Sequence, residues 1–315
     1  MNAGTIKTLK SVIRLGTVTT FPPEVSVNPL LVEQLIVNFL NEDLGVVGDI
    51  TSSALPSKRV EAVFIAKEEC LLCGLPFARK VFSLYDPSVE FTPLLGEGEL
   101  LKPGTVFARV EGPVSSILTC ERTALNLLQR LSGIATNTRR FVEALKGSRV
   151  KLLDTRKTTP GLRLFEKYAT RVGGALNHRF GLYDAVMVKD NHIAACGGVE
   201  EAVRRVCAVK PATAKVEVEV QNWNELRQLL PVLDLVDIVM LDNWPLEEVP
   251  EAVELLRKRS SVKIELSGGI TLDTLKRVAA LPVDYVSTSK LITAATWVDL
   301  SVEVCGDGTA YDERS

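Results

Sequence analysis

The chain has 315 residues, of which 46% are hydrophobic and 24% charged, an ordinary globular composition that excludes a disordered, fibrous or disulfide-scaffold protein. Its 37 basic and 39 acidic side chains leave a formal net charge of -2, so whole-chain charge gives no footing to nucleic acid or to an anionic membrane. No apolar run approaches the roughly 18 residues that a membrane-spanning helix needs, and a soluble cytoplasmic protein is expected.

Residues 1–23 contain Lys7, Lys10 and Arg14 and no acidic side chain. Organellar transit peptides and plain leaders share that composition, so residues 1–28 are expected to be an extension, with an organellar address as the alternative location. From Pro29 to Asn41 the apolar residues Leu30, Leu31, Leu35, Ile36 and Leu40 fall on one helical face. Between Val60 and Pro113 the runs Val60 to Ala66, Ser88 to Pro93 and Thr105 to Val110 are β-branched or aromatic and punctuated by Gly and Pro, which predicts a small β-rich scaffold. Six cysteines in a chain of this size are too dilute for a disulfide framework and fit a reducing compartment. Cys70 and Cys73 form a lone CxxC without the second pair or histidines of a zinc site, and are read as structural thiols. Glu121 to Leu145 carries Ala124, Leu127, Leu128 and Leu131 at helical spacing, predicting a long helix that bridges two parts of the protein.

Beyond it the chain repeats one unit: a short apolar strand, a polar or glycine-bearing tip, then a helix. Candidate strands are Val150 to Leu153, Ala185 to Val188, Val216 to Val220, Ile238 to Leu241, Val262 to Leu266 and Tyr285 to Ser287. Their starts are about 20 to 35 residues apart, the length of a βα unit, so the expected class is α/β with a parallel sheet curling into a barrel.

The polar residues fall at the strand ends. Asp154, Thr155, Arg156 and Lys157 follow the first strand, and Lys189, Asp190, Asn191 and His192 follow the second. Glu217 and Glu219 lie in the third, Asp242 and Asn243 end the fourth, Ser267, Gly268 and Gly269 the fifth, and Ser287, Thr288 and Ser289 the sixth. A βα barrel builds its active site at this rim. Solvated loops also place polar residues at strand ends, but the mixture here describes a ligand with anionic groups and a metal. Arg156, Arg179, Lys157 and Lys189 can neutralise carboxylates and phosphates. Glu219 and Asp242 offer oxygen ligands suited to Mg²⁺. Gly268 and Gly269 offer backbone N–H groups to a terminal phosphate. The two histidines, His178 and His192, divide into a candidate for binding an anionic aromatic ligand beside Arg179 and a helper that orients the Lys189 turn.

The strings GDITSSAL at 48–55, ERTALNLLQRLSGIAT at 121–136, DTRKTTPGLR at 154–163, GGALNHRFGLYDAVMVKDNH at 173–192, VEVEV at 216–220, LDN at 241–243 and IELSGGI at 264–270 closely resemble the quinolinate phosphoribosyltransferases, also called carboxylating nicotinate-nucleotide pyrophosphorylases. The resemblance runs from about Pro29 to Val304. It implies an N-terminal α/β sandwich over 29–127, a C-terminal open (β/α) barrel over 128–304 and a tail over 305–315. It also implies a pentosyltransferase that joins quinolinate and 5-phosphoribosyl 1-diphosphate into nicotinate mononucleotide, diphosphate and CO₂ in de novo NAD biosynthesis. Mg²⁺ is the implied cofactor, and a homodimer with shared active sites, or a hexamer of such dimers, the implied assembly.

Carried over by resemblance, Arg122 reaches into the neighbouring subunit's site. Arg156, Arg179 and Lys189, with His178, bind quinolinate. Thr155, Lys157, Glu219 and Asp242 surround the phosphoribosyl donor; Lys157, Glu219 and Asp242 are the implied catalytic residues, and Glu219 and Asp242 the metal ligands. Ser267, Gly268 and Gly269, with Thr288, Ser289 and Lys290, form phosphate-binding turns. The last turn departs from the commonest family string, valine-glycine-alanine. Two rival readings are a barrel aldolase with Lys189 as Schiff-base amine and a family member retargeted to another base.

Overall fold

The computed structural model describes residues 27–305; the leader read in the first residues and the tail beyond Cys305 lie outside that range. The first half runs through α1 (Pro29–Leu44), β1 (Arg59–Ala66), β2 (Cys70–Leu71), α2 (Leu75–Tyr85), β3 (Glu90–Pro93), β4 (Leu100–Leu101), β5 (Val106–Pro113) and α3 (Val114–Ala144). The second half alternates through β6 (Lys151–Leu153), α4 (Arg163–Val172), β7 (Val186–Val188), α5 (Asp190–Cys196), α6 (Val199–Val209), β8 (Val216–Val220) and α7 (Trp223–Leu229). It continues with β9 (Ile238–Asp242), α8 (Val249–Arg257), β10 (Lys263–Ser267), α9 (Leu272–Val278), β11 (Tyr285–Ser287), α10 (Lys290–Thr293) and β12 (Leu300–Val304).

Helix α1 starts where Asn28 Oδ1 accepts the Leu30 N–H at 3.1 Å and Pro29 presets the first turn. It buries Val32, Ile36 and Leu40, one residue per turn. Strands β12, β1, β5 and β3 form an antiparallel sheet in that order. Phe64 of β1 centres its core, with ring centroids 5.4 Å from Phe91, 5.9 Å from Phe107 and 6.1 Å from Phe82. Two features depart from expectation. The β-rich stretch contains α2, which buries Leu75, Phe77, Ala78, Val81 and Phe82. The last strand also leaves the barrel: Ala66 pairs with Leu300 and Ala62 with Val304, so residues 300–304 complete the first sheet rather than the barrel.

The barrel strands are hydrogen-bonded in the order β6-β11-β10-β9-β8-β7, all parallel. Its two edge strands do not pair; a bridge between Leu153 and Leu176 spans part of the opening. This is the open α/β barrel expected. Its strands are apolar because both faces are covered: Val216, Val218 and Val220 are fully buried, and Glu217 and Glu219 between them turn to the opposite face.

Helix α3, 31 residues long, joins the halves, and the expected division between residues 127 and 128 falls inside it. It lies so close to the segment before β12 that a Cβ on Gly133 would stand 1.9 Å from the Thr296 carbonyl oxygen. Phe77 of α2 also packs on Phe165 and Tyr168 of α4, with centroids 4.7 and 4.9 Å away. Cys70 and Cys73 are both fully buried. Burial lifts the Cys70 thiol to about 11 and holds that of Cys73 well above its ordinary value, in keeping with protonated structural thiols.

Candidate active site

The carboxyl end of β6 is organised by Asp154, which is fully buried. Its carboxylate accepts bonds from Lys167 Nζ, from Thr170 Oγ1 at 2.9 Å, from Asn177 Nδ2 at 2.6 Å and from the His178 N–H at 2.8 Å. The ammonium of Lys167, also fully buried, is thereby neutralised, although burial still pulls its pKa below the ordinary value. One carboxylate thus ties α4 and the segment leading to Arg179 to the strand end.

Arg156 and Arg179 form the basic part of the rim. Arg179 Nη1 donates to the Ala185 carbonyl at 3.0 Å. Burial, then the charge of Arg156, lower its pKa, with Glu217 and Asp184 acting in the opposite sense. The loop beyond is closed by Asp184, which accepts the N–H groups of Phe180 at 2.6 Å and Gly181 at 2.9 Å. Arg156 Nε is buried with no hydrogen-bond partner. A buried, unpaired guanidinium donor beside a second guanidinium is an arrangement completed by an anion.

His178 is engaged through both of its ring nitrogens. Its Nδ1 accepts the Arg179 N–H at 2.8 Å, and its Nε2 lies 2.9 Å from Glu217 Oε2 and 3.7 Å from Glu265 Oε2. Both ring nitrogens are engaged inside the barrel, so the imidazole faces carboxylates rather than an incoming anion. Burial opposes its charged form, but the Glu217 bond and the charges of Glu217 and Glu265 prevail and raise its pKa. His192 fits its expected role: its Nδ1 accepts the Lys189 N–H at 3.0 Å and fixes the turn that opens α5.

Lys189 Nζ in turn donates to Glu219 Oε2 at 2.7 Å. Asp242, at the end of β9, accepts from Asn243 Nδ2 at 2.9 Å. Burial and then the charge of Glu219 push the Asp242 carboxyl up, while Lys189, Asn243 and Lys157 hold it back. Two carboxylates that repel each other, with two lysines near them, are a donor set suited to a hard divalent cation.

A cleft of about 310 Å³ is lined by Asp242 together with Thr155, Lys157, Ser267, Gly268, Gly269, Thr288, Ser289 and Lys290. Gly268 has φ +84°, and a Cβ there would lie 2.2 Å from Asn243 Oδ1, so the turn needs glycine twice over. Thr288 is a buried turn-former: its hydroxyl donates to the Ile270 carbonyl at 3.1 Å and accepts the Lys290 N–H at 3.2 Å. Arg122 stands apart, exposed on α3 and absent from the cleft lining.

The family model described as the quinolinate phosphoribosyl transferase C-terminal domain matches residues 134–303, and that of the N-terminal domain matches residues 49–132. The chain belongs to the quinolinate phosphoribosyl transferase family. A relative from Synechocystis, named probable nicotinate-nucleotide pyrophosphorylase (carboxylating), is 44% identical over 288 residues, covering 91% of this chain and 95% of its own. One of the same name from Bacillus subtilis is 40% identical, covering 91% and 98%. Among solved structures, the nicotinate-nucleotide pyrophosphorylase from Francisella tularensis superposes with a TM-score of 0.82 at 38% identity, over 89% of this chain and 98% of that one. NadC from Streptococcus pyogenes gives 0.81 at 42%, over 88% and 98%. Among the described residues no helix is long and apolar enough to cross a membrane.

Within this family site the sequence reading passed over Lys167 and Glu265 and gave no part to Asp154 or Glu217. A signal was present for two of them: Glu217 and Glu265 each stand between two apolar residues of a strand that is covered on both faces, where an acid needs a specific partner.

Proposed function

We propose that the protein transfers the phosphoribosyl group of 5-phosphoribosyl 1-diphosphate to the ring nitrogen of quinolinate, with loss of diphosphate and CO₂. The observation that carries this reading is the pairing of Arg156 and Arg179, with one buried guanidinium N–H unpartnered, beside a glycine-turn cleft. Adjacent carboxylates on a flat ring match two guanidinium forks, whereas a monocarboxylate leaves one of them unused. The pair, with Lys189, would fix the ring so that its nitrogen faces carbon 1 of the ribose. Gly268, Gly269, Ser289 and Lys290 would hold the phosphate groups.

As the ring nitrogen bonds to carbon 1 and the bond to diphosphate breaks, positive charge builds on the sugar. Glu219 and Asp242 would stabilise that charge, and Lys157 would meet the departing diphosphate. Glu219 and Asp242 would also hold Mg²⁺, which when bound neutralises diphosphate. When the 2-carboxylate then leaves as CO₂, the electron pair left on ring carbon 2 is stabilised by the adjacent pyridinium nitrogen and takes a proton from water, giving nicotinate mononucleotide. Lys189 is held as an ammonium against Glu219, which opposes its use as a Schiff-base amine. Exposure of Arg122 on α3 supports a homodimer in which it serves the partner's site.

A side-by-side assay of quinolinate, nicotinate and nicotinamide tests the reading. Diphosphate and CO₂ released in equal amounts from quinolinate alone is the expected result. Efficient use of nicotinate, with diphosphate but no CO₂, would overturn it.

A further inference from the structure

Next to Arg179, whose charge meets Glu217, lies a buried group of charges that the proposed reaction leaves unused. The ligand-capable atoms of His178, Glu217 and Glu265 lie within 4.8 Å of one another. Glu265 is 0% exposed and Glu217 2%. Glu217 Oε1 and both carboxylate oxygens of Glu265 have no hydrogen-bond partner. Two ionised carboxylates against a neutral imidazole would leave two negative charges and three lone acceptors out of water, which desolvation forbids unless a cation or a proton joins them.

The neighbouring side chains narrow the choice. Lys167, the buried ammonium of α4, is committed to Asp154. Arg179 donates to the Ala185 carbonyl; its charge reaches Glu217 as well as Arg156 and Asp184, but it leaves Glu217 Oε1 and both Glu265 oxygens without a hydrogen bond. Met240 of β9 and Tyr285 of β11 stand opposite Glu265 in the sheet and bring no positive charge. The Ser287 hydroxyl of β11 is near enough to favour the ionised carboxylate, yet makes no bond of proper geometry to it. The charges of Glu217 and Glu265 also favour a further proton on the imidazole, but it would have to sit on Nδ1, which already accepts the Arg179 N–H, and would set two N–H groups against each other. A proton on Glu265 breaks no bond and supplies the donor that Glu217 lacks. Burial and the charge of Glu217 raise the Glu265 carboxyl in the direction this requires.

We propose that Glu265 is a protonated carboxyl that donates to Glu217, positions His178, and halves the negative charge of this cluster, which meets Arg179 through Glu217. It is a positioning residue: it acts on the substrate through His178, Glu217 and Arg179. With one negative charge in the cluster instead of two, Arg179 keeps more of its field for a dicarboxylate. The effect on substrate rests on the proposed quinolinate reading; the proton itself does not.

The test begins with infrared difference spectra of the ligand-free full chain, labelled with ¹³C-carboxyl glutamate, at neutral and alkaline pH. The expected result is a protonated-carboxyl stretch that is present at neutral pH, fades with rising pH and is missing from Glu265→Gln. Kinetics supply the second readout. Glu265→Leu, which removes the donor, should raise the quinolinate KM about tenfold, and Glu265→Gln, which keeps an N–H donor, should restore most of that loss. The alkaline rise in KM expected of the wild type should be absent from Glu265→Gln. A wild-type spectrum without the band, a Gln variant no better than Leu, or a stoichiometric divalent cation in the purified protein that Glu265→Gln removes would overturn the proposal. A Glu265-dependent band in a protein that does not turn over quinolinate would uphold the proton and sink the functional reading instead.

Discussion

The ammonium of Lys189 donates to Glu219 Oε2 at 2.7 Å, linking the end of β7 to the neighbouring strand β8 at the rim of the barrel. The lysine side chain is 43% exposed and the glutamate 8%, so a cation is held at the solvent edge by a carboxylate fixed in the wall. Lys189 is also one of the charges that hold the Asp242 carboxyl down against burial and Glu219.

Lys189→Met therefore has two expected effects. Loss of a fixed cation from the anion site should lower kcat/KM for quinolinate by about a hundredfold or more. The Asp242 carboxyl should also rise further, so that the acid limb of the pH profile moves to higher pH. Steady-state kinetics across the acid range check both. An unmoved acid limb would show that Asp242 does not titrate in that limb.

Asp154 and Lys167 set a stability test. Asp154→Ala leaves a fully buried ammonium without its carboxylate and takes an acceptor from Thr170, Asn177 and the His178 N–H, which should cost about 3–5 kcal/mol. Urea unfolding measures the loss. The same variant frees the segment carrying His178 and Arg179, so the quinolinate KM should rise in whatever fraction remains folded.

These networks mark how far the fold and site were legible in the sequence. The barrel strands were visible because a parallel strand covered on both faces reads as a short apolar run, as Val186–Val188 does. The strand β12 was not, because Ser301 and Glu303 give it the pattern of an exposed tail, and its partner β1 lies at the other end of the chain. Helix α2 was masked by aromatic residues and Pro76, which read as strand and turn until Phe77 and Phe82 are seen on one buried face. Rim residues such as Lys189 and Asp242 were found from their place after a strand. Glu265 and Lys167 were not, because their importance lies in partners that only barrel closure brings together.

Gly268→Ala probes the glycine turn. The positive φ alone should cost about 1–2 kcal/mol, and the added methyl would meet the Asn243 side chain at 2.2 Å and its backbone nitrogen at 2.7 Å. Because the turn lines the cleft, the KM for the phosphoribosyl donor should rise far more than that for quinolinate. Equal changes in the two constants would remove the turn from phosphate binding.

At the other end of the barrel, Asp284 is a control for acid stability. It accepts the Ile264 N–H, Lys263 Nζ and Arg257 Nη2, each at 3.0 Å. Burial raises its carboxyl, but these bonds and charges outweigh burial and hold it below its ordinary value. A depressed carboxyl stabilises the fold above the unfolded pKa of about 3.9, and that contribution disappears as pH falls through the lower folded value. Asp284→Asn should accordingly lower stability by about 1–3 kcal/mol at neutral pH, with kcat/KM unchanged. Thermal melts against pH should show the two proteins converging in acid; a gap that persists there would assign the effect to packing.

Arg122 is the residue whose proposed role most depends on a second chain. It is exposed on α3 and is not among the residues lining the Asp242 cleft, so its own site gains nothing evident from it. If it completes the partner's site, Arg122→Ala should be inactive yet melt like the wild type. Lys189→Ala, defective in a residue of its own site, should be inactive too. Unfolding and refolding the two together gives mixed dimers in which one site carries both lesions and the other neither. Random pairing then restores about a quarter of the wild-type activity, because half the dimers are mixed and each has one sound site. No recovery from a mixture shown to contain mixed dimers, or full activity of Arg122→Ala alone, would remove Arg122 from the reaction.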